Sequence, residues 1–176
     1  MRLTNPLWYL AALLLALGSA MAATVVAASA FDPVRAAGVT PITNERIDAA
    51  GRTLAIYTDT LQPARNVTCH GRDRDKERVD IPDKGVEITA QGDGTRWRLI
   101  GLLEDGRDGL RVRCVPDDEE IDYASYGYAT VTGYTSMVNN GQGIAILGAT
   151  ASGALAVWVF WCRRRARQEA RTAVPQ

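Results

Sequence analysis

The most restrictive feature of the sequence is a long uncharged run near its C-terminus. Gly141–Trp161 contains 21 residues without an ionisable side chain. As an α-helix it would extend about 31 Å at ~1.5 Å per residue, which matches the ~30 Å hydrocarbon core of a bilayer. Trp158 and Trp161 lie at its C-terminal end, where indole rings favour the headgroup level. The run therefore predicts a transmembrane helix at 141–162 rather than the buried helix of a soluble core.

Directly behind this run, four arginines in five positions predict a membrane stop signal; they are Arg163, Arg164, Arg165 and Arg167. The tail 163–176 holds five arginines and one glutamate, a net charge of +4. Because basic flanks of a span stay in the cytoplasm, we expect this tail to be cytoplasmic.

A second uncharged run, 7–30, is 24 residues long and is also long enough to span a bilayer. Two interpretations stay open. The run is either an uncleaved transmembrane helix or a secretory signal peptide, with Arg2 as its basic region and Ala20–Ala22 or Ala28–Ala30 as the cleavage site. Its apolar character continues through Thr24–Val26, which favours the uncleaved helix.

Two spans with a basic C-terminal flank place both termini in the cytoplasm and the intervening chain outside the plasma membrane. The predicted order is a cytoplasmic N-terminus at 1–6, a transmembrane helix or signal peptide at 7–30, a stalk at 31–52, a β-domain at 53–132, a linker at 133–140, a transmembrane helix at 141–162 and a cytoplasmic basic tail at 163–176. Cleavage of the first run would leave the β-domain outside.

The segment between the spans is acidic, although the whole chain is neutral. Phe31–Asn140 holds 19 acidic and 14 basic side chains, a net charge of −5. An acidic domain is a poor ligand for a phosphate backbone, so nucleic acid is not an expected partner. About 110 residues are enough for one small domain with its own core.

Short β-branched and aromatic segments, separated by Gly/Asp turns, fill this domain. We predict strands at 53–58, 66–70, 86–90, 96–103, 110–115 and 126–132, with a further short strand at 78–81. In the segment 96–103, Trp97, Leu99 and Gly101 are expected to alternate toward the interior. The predicted fold class is membrane-anchored all-β: a small antiparallel β-sandwich flanked by an N-terminal and a C-terminal transmembrane helix.

The three cysteines divide between the two sides of the membrane. Cys69 and Cys114 fall outside, where oxidation is permitted, and we expect them to form a disulfide. Cys162 lies at the inner membrane face and is expected to be a reduced thiol. With one histidine and no C-x-x-C motif, the chain offers no zinc signature, and no metal or cofactor is expected.

Catalytic patterns are weak. His70 would have to combine with Ser125 or Ser136, and neither serine lies in a G-x-S-x-G motif. Asp73–Arg78 resembles the start of a calcium loop but has no glycine at its sixth position, and its cations would oppose a metal. Asp117–Glu120 is a purer acidic run, for which a solubilising loop is favoured over a loose cation site. We therefore do not expect an enzyme.

Small residues recur every four positions in the second span, at Gly141, Ala145, Ala149 and Gly153. Such spacing allows helix backbones to approach closely. Two hypotheses follow: the two spans pack on each other along this stripe, or the protein forms a homo-oligomer through it.

A set of short motifs runs from Gly51 to the arginine-flanked span: Gly51-Arg52, Ile56–Thr58, Val67–Cys69, Trp97-Arg98, Asp108-Gly109, Val112–Cys114 and Tyr126–Tyr128. In this order they resemble a group of uncharacterised two-span membrane proteins of high-GC Gram-positive bacteria. The resemblance implies a disulfide-linked extracytoplasmic β-domain on a two-span anchor and no particular activity.

These observations favour a non-enzymatic integral membrane protein that presents its β-domain as an accessory or interaction module. Its expected partners are the lipid bilayer and an unknown membrane or envelope protein. The alternative is an envelope sensor or regulator that signals through the basic cytoplasmic tail.

Overall fold

The structure is a computed structural model that describes residues 7–60, 67–92, 94–116 and 124–172, with side chains as far as Gln168. The chain divides into two compact units. One is helical and is drawn from the residues up to Ala28 and from Val138 onwards, and the other is a β-unit, Ser29–Met137. The predicted N-terminal segment 1–6, the acidic run Asp117–Glu120 and the last four residues of the predicted tail lie outside the described residues.

Two long helices occur at the ends of the chain: α1 (Leu7–Ser29) and, last in the chain order, α3 (Tyr134–Thr172). Both are long and apolar enough to cross a membrane, and only 6% of the most apolar window of each is buried. A helix in a soluble core would bury most of that window. The two predicted apolar helices are therefore confirmed.

Helix α3 begins earlier than predicted. Residues 133–140 were expected to form a linker, but the helix starts at Tyr134, where the Met137 amide donates to the Gly133 carbonyl at 3.0 Å. Nothing in this segment breaks a helix, since the nearest breaker is Gly133 itself, with a φ of +86°. A helix can begin with polar residues. The apolar run at 141–161 therefore predicted the apolar part of α3 and not the residue at which the helix begins.

In the described residues, eight strands and one short helix build the β-unit. They are the helix α2 (Asp32–Arg35) and the strands β1 (Thr40–Pro41), β2 (Thr53–Thr58), β3 (Val67–Arg72), β4 (Arg78–Ile81), β5 (Thr89–Gly92), β6 (Thr95–Leu103), β7 (Arg111–Pro116) and β8 (Tyr126–Val131). They form two antiparallel sheets, one in the order β1-β8-β2-β6-β5 and one in the order β4-β3-β7. The predicted antiparallel β-domain is confirmed, with the strand expected at 86–90 moved to Thr89–Gly92.

The two sheets share one hydrophobic core. Leu54 and Ile56 enter it from β2, and Ile81 enters it from β4. Leu110, before β7, is fully buried there and exchanges backbone hydrogen bonds with Ile47 at 2.8 and 2.9 Å. Alternate residues of β2 therefore face the three-stranded sheet.

The opposite face of β2 is buried as well, under the segment predicted to be a stalk. Tyr57 is completely buried and donates a hydrogen bond from its hydroxyl to the Val34 carbonyl at 2.8 Å. Burial raises the pKa of Tyr57, so the phenol stays protonated and remains a donor. The prediction of a stalk at 31–52 is wrong, because Val34 and Ile47 are part of the folded unit.

A β-bulge changes the expected alternation of inward and outward side chains in β6. Ile56 pairs with Gly101, but the next residue, Tyr57, pairs with Leu99, which leaves Ile100 as an extra residue. Because one inserted residue reverses which side the following residues face, Leu99 lies on the Tyr57 side and Gly101 on the core side. A Cβ at Gly101 would lie 2.9 Å from Cγ2 of Ile81, so only glycine fits beneath the second sheet.

Cys69 and Cys114 are directly opposite each other on β3 and β7, with their Cα atoms 4.0 Å apart and their sulfurs 2.09 Å apart in a disulfide. Both side chains face the shared core. The bond joins neighbouring strands of the three-stranded sheet and encloses the chain that contains β4, β5 and β6.

The buried hydroxyl of Tyr57 provides a test that residues near Val34 are part of the domain. Tyr57→Phe should lower the free energy of unfolding by roughly 1–3 kcal/mol, because the buried Val34 carbonyl loses its donor. Tyr128→Phe is the matched control, since no hydrogen bond of the Tyr128 hydroxyl is recorded among the described residues. Urea denaturation of the purified full-length chain measures both, and equal small effects would show that Val34 is not docked.

Removal of the disulfide should destabilise the β-unit more strongly. The two cysteines are 45 residues apart, and closing a loop of that size contributes roughly 3–4 kcal/mol in the chain-entropy model. Cys69→Ala/Cys114→Ala should show this loss in urea denaturation, whereas Cys162→Ala, which removes the free thiol, should not. A similar loss for both variants would contradict the pairing.

Candidate functional site

The helical unit contains close backbone contacts between α1 and α3. A Cβ added at Gly141 would lie 3.1 Å from the Ala23 carbonyl oxygen and 3.5 Å from Cβ of Ala27. A Cβ added at Gly148 would overlap Oγ and Cβ of Ser19. At the other end, the Arg163 guanidinium lies 5.4 Å from the centre of the Tyr9 ring. The two helices therefore pack antiparallel, with small residues where they approach most closely.

The buried and half-buried positions follow a spacing of alternately four and three residues. On α3 they include Gly141, Ala145, Gly148, Ser152, Leu155, Val159 and Cys162, and on α1 Ala12, Ala16, Ser19, Ala23 and Val26. This is the repeat that keeps one face of a helix against an antiparallel neighbour. We call these positions the helix seam.

The predicted stripe coincides with the helix seam only at Gly141 and Ala145. Ala149 and Gly153 are exposed, and nothing lies within 4 Å of a Cβ added at Gly153. Four residues turn a helix by about 400°, so a strict four-residue repeat rotates away from its neighbour by ~40° at each step. The stripe is therefore wrong as the contact between α1 and α3, and self-association through Ala149 and Gly153 stays a prediction.

Large apolar side chains cover the outside of this helix pair. Leu13 and Leu17 of α1 and Leu147 and Phe160 of α3 are each more than half exposed. Thr150 and Ser152 satisfy their hydroxyls on carbonyls of the preceding turn, so they add no unpaired polar group to this surface. The surface is apolar along α1 and along residues 141–161 of α3.

The four arginines of the predicted stop signal lie at one end of the pair, on α3. A cavity of about 460 Å³ is lined by Arg163, Arg164 and Arg167 together with Tyr9, Phe160 and Gln168. Arg165 points elsewhere and lies 6.0 Å from the centre of the Trp161 ring. Among the side chains that the structure describes, no carboxylate lines this cavity. The described basic side chains of the helix pair thus lie at one of its ends.

In the β-unit, His70 does not meet either candidate nucleophile. The Ser125 amide donates to the Asp59 carboxylate at 2.8 Å, and the Ser136 hydroxyl donates to the Gly133 carbonyl at 2.9 Å. Neither serine has a recorded contact with His70 within the described part of the chain. The weak triad pattern that the sequence offered is therefore not assembled among the described residues.

The loop that resembled a calcium site is held by internal bonds. Asp73 accepts hydrogen bonds from the Asp75 and Glu77 amides at 3.0 and 2.9 Å, and Arg107 contacts both Asp73 and Glu77. Partial desolvation opposes ionisation of Asp73, but the bonds from Arg107 and the backbone outweigh it and lower the pKa of Asp73. Among the residues that the structure describes, no group of three His, Cys, Asp or Glu side chains could hold a metal ion.

The outer face of the three-stranded sheet carries a cluster of cations that sequence analysis missed. His70 is opposite Asp80 on one side and Arg113 on the other, and Arg72 is opposite Arg78 and Arg111. We call these six residues the basic face. The alternation of Arg111 and Arg113 was visible in the sequence, but their neighbours depend on the pairing of strands distant in the chain.

Comparisons with known proteins give little information about this chain. No known family matches the sequence, and no solved structure matches it. A 2-imino-3-(indol-3-yl)propanoate dimerase of Chromobacterium violaceum is 35% identical in an alignment of 86 residues that covers 36% of this chain and 8% of that protein. Because the match spans so small a part of the dimerase, it carries no argument about activity.

The helix seam can be tested at two glycines of the same helix. Gly148→Leu should disrupt the packing of α1 on α3, because its side chain would occupy the position of Ser19, while Gly153→Leu enters open space. Disulfide trapping between cysteines introduced at Ala27 and Gly141, in a chain without its native cysteines, measures the packing. We expect at least a fivefold loss of trapping for Gly148→Leu and little for Gly153→Leu; the reverse result would restore the four-residue stripe.

Proposed function

We propose that this protein is a non-enzymatic integral membrane protein that presents its β-domain, a disulfide-linked sandwich, on the outside of the plasma membrane. The observation that carries the proposal is the helix pair, whose outer surface is apolar along α1 and residues 141–161 of α3 and whose described arginines lie at one end. Such a surface is costly in water and stable in hydrocarbon. The basic end corresponds to the cytoplasmic side.

The antiparallel packing of α1 on α3 supports a two-span topology. A segment that connects two antiparallel spans leaves and re-enters the bilayer on the same side, so the proposal assigns the chain between α1 and α3 to the non-cytoplasmic side. The contacts at Ser19 and Ala23 also give α1 a role in packing, which favours an uncleaved anchor over a signal peptide.

For the β-domain, the proposal is an accessory or interaction role with an unknown membrane or envelope protein. Several of its described carboxylates take part in ion pairs, such as Asp73 with Arg107 and Asp108 with Arg74. Kinship with the two-span proteins of high-GC Gram-positive bacteria remains part of this proposal.

One observation favours the alternative, a sensor or regulator. Helix α3 is continuous from Tyr134, whose ring contacts Phe31 of the β-unit at 5.4 Å, to Thr172 in the basic tail. In the sensor proposal, this helix is the element that passes a change at Tyr134 on to the basic tail. A chain truncated after Arg167 would lose signalling output if the sensor proposal holds, whereas an accessory module would retain its function.

Topology is tested with single exposed thiols in a Cys162→Ala background that keeps the native disulfide. A membrane-impermeant maleimide should label Asp75→Cys on intact cells and Gln168→Cys only after permeabilisation, because the two residues are expected on opposite sides. Both variants should stay in the membrane pellet after an alkaline carbonate wash. Labelling of Gln168→Cys on intact cells would reverse the orientation, and release into the wash would refute membrane residence.

A further inference from the structure

We propose that the basic face of the three-stranded sheet is a docking surface for an extended acidic segment of a partner protein. This inference rests on the proposed function. It names the chemistry of the partner protein that the β-domain would bind.

The register of the strands arranges the basic face as two rows of three. One row is Asp80–His70–Arg113 and the other is Arg78–Arg72–Arg111. Neighbours within a row are about 5 Å apart, and the rows are ~7 Å apart along the strands. The residues between them on β3 and β4, Gly71 and Val79, are buried. The charged groups of the rows thus project from the same face of the sheet.

Most of the positive charge on this surface has no negative charge beside it among the described residues. Arg78 contacts Asp80 at 2.8 Å, but Arg72, Arg111 and Arg113 have no carboxylate partner among the described residues. Six other cations of the β-unit do have carboxylate partners within 4 Å: Arg35, Arg52, Arg74, Lys84, Arg98 and Arg107. Like charges directly opposite each other destabilise a sheet, so the two arginines beside Arg72 weaken the fold unless an anion neutralises them.

The direction of the pKa shift of His70 agrees with this accumulation of cations. Partial burial, and then the guanidinium groups of Arg78, Arg72 and Arg113, lower the pKa of His70, while Asp80 opposes them. The imidazole is therefore mostly neutral at pH 7, and the face keeps four arginines against one carboxylate. In a domain that is acidic overall, four arginines thus lie close together on one face of a sheet.

The exposed side chains of β7 indicate what kind of anion would bind to the basic face. Arg111 and Arg113 are followed on the same face by Val115, which is 40% exposed. An extended polypeptide places side chains i, i+2 and i+4 on one face at the same ~7 Å spacing. Acidic residues at i and i+2 and an apolar residue at i+4 would therefore match Arg111, Arg113 and Val115. A polyphosphate chain has no apolar group for the third position, which favours a protein segment.

The test uses the full-length chain in nanodiscs of neutral lipid and a fluorescent synthetic peptide with glutamates at i and i+2 and leucine at i+4. A scrambled peptide of the same composition and inorganic polyphosphate are the comparison probes. Fluorescence anisotropy should show binding of the designed peptide that is at least fivefold tighter than binding of the scrambled one. Arg111→Gln/Arg113→Gln should weaken it at least tenfold, because two charge-assisted contacts are lost.

Arg35→Gln/Arg74→Gln is the matched control, because it removes the same charge from exposed, ion-paired arginines elsewhere in the β-unit. It should change peptide affinity less than twofold. Equal losses in both variants, or equal binding of the scrambled peptide, would reduce the effect to net charge and overturn the proposal. Stronger binding of polyphosphate than of the designed peptide would overturn the protein partner in favour of a polymer.

Asp117, Glu119 and Ile121 of the chain itself have the same order of side chains in the sequence. Asp117→Asn/Glu119→Gln should bind the designed peptide as the unmodified chain does. A gain of tenfold or more would identify the chain's own segment as the occupant and overturn a partner. Because binding is measured in nanodiscs, its failure is separate from failure of the proposed topology, which thiol labelling on cells decides.

Discussion

The β-unit depends on the burial of β2 on both of its faces. Every residue of Thr53–Thr58 is buried, in the middle of a five-stranded sheet. The three-stranded sheet covers Leu54 and Ile56 on one face, and the segment around Val34 covers Tyr57 on the other. A strand in this position requires a covering layer on each side, so the second sheet, α2 and the turn that contains Ile47 are all consequences of where β2 lies.

Glycines at the layer contacts show how close these coverings are. Gly101 brings β6 under Ile81, and Gly71 leaves room for the Leu110 side chain. At Gly106 an added Cβ would meet the backbone oxygens of Ala49 and Arg52. These positions lack a side chain because another residue already fills the space, and the disulfide then ties the covering sheet together across β3 and β7.

The helical unit follows a different constraint, the rotation of an α-helix. Its contacts need a repeat that averages about 3.5 residues, which the helix seam supplies with Gly148 and Ser19 at one crossing point. The same helix presents Leu147 and Phe160 outward. One chain thus contains a unit whose apolar groups point inward, as water requires, and a unit whose apolar groups point outward, as lipid would require.

The sequence by itself determined the local features: two apolar helices, the strands at β2, β6 and β8, the turns between strands and the cysteine pair. Each follows from length, alternation or turn chemistry within about ten residues. Only the tertiary structure decided that residues 31–52 are part of the domain, that β6 contains a bulge at Ile100, and that the helices meet along a heptad spacing instead of a four-residue stripe. It also brought Arg72, Arg78 and Arg111 side by side. These features arise from contacts between segments far apart in the chain, where register and steric fit, which no local pattern encodes, choose the neighbours.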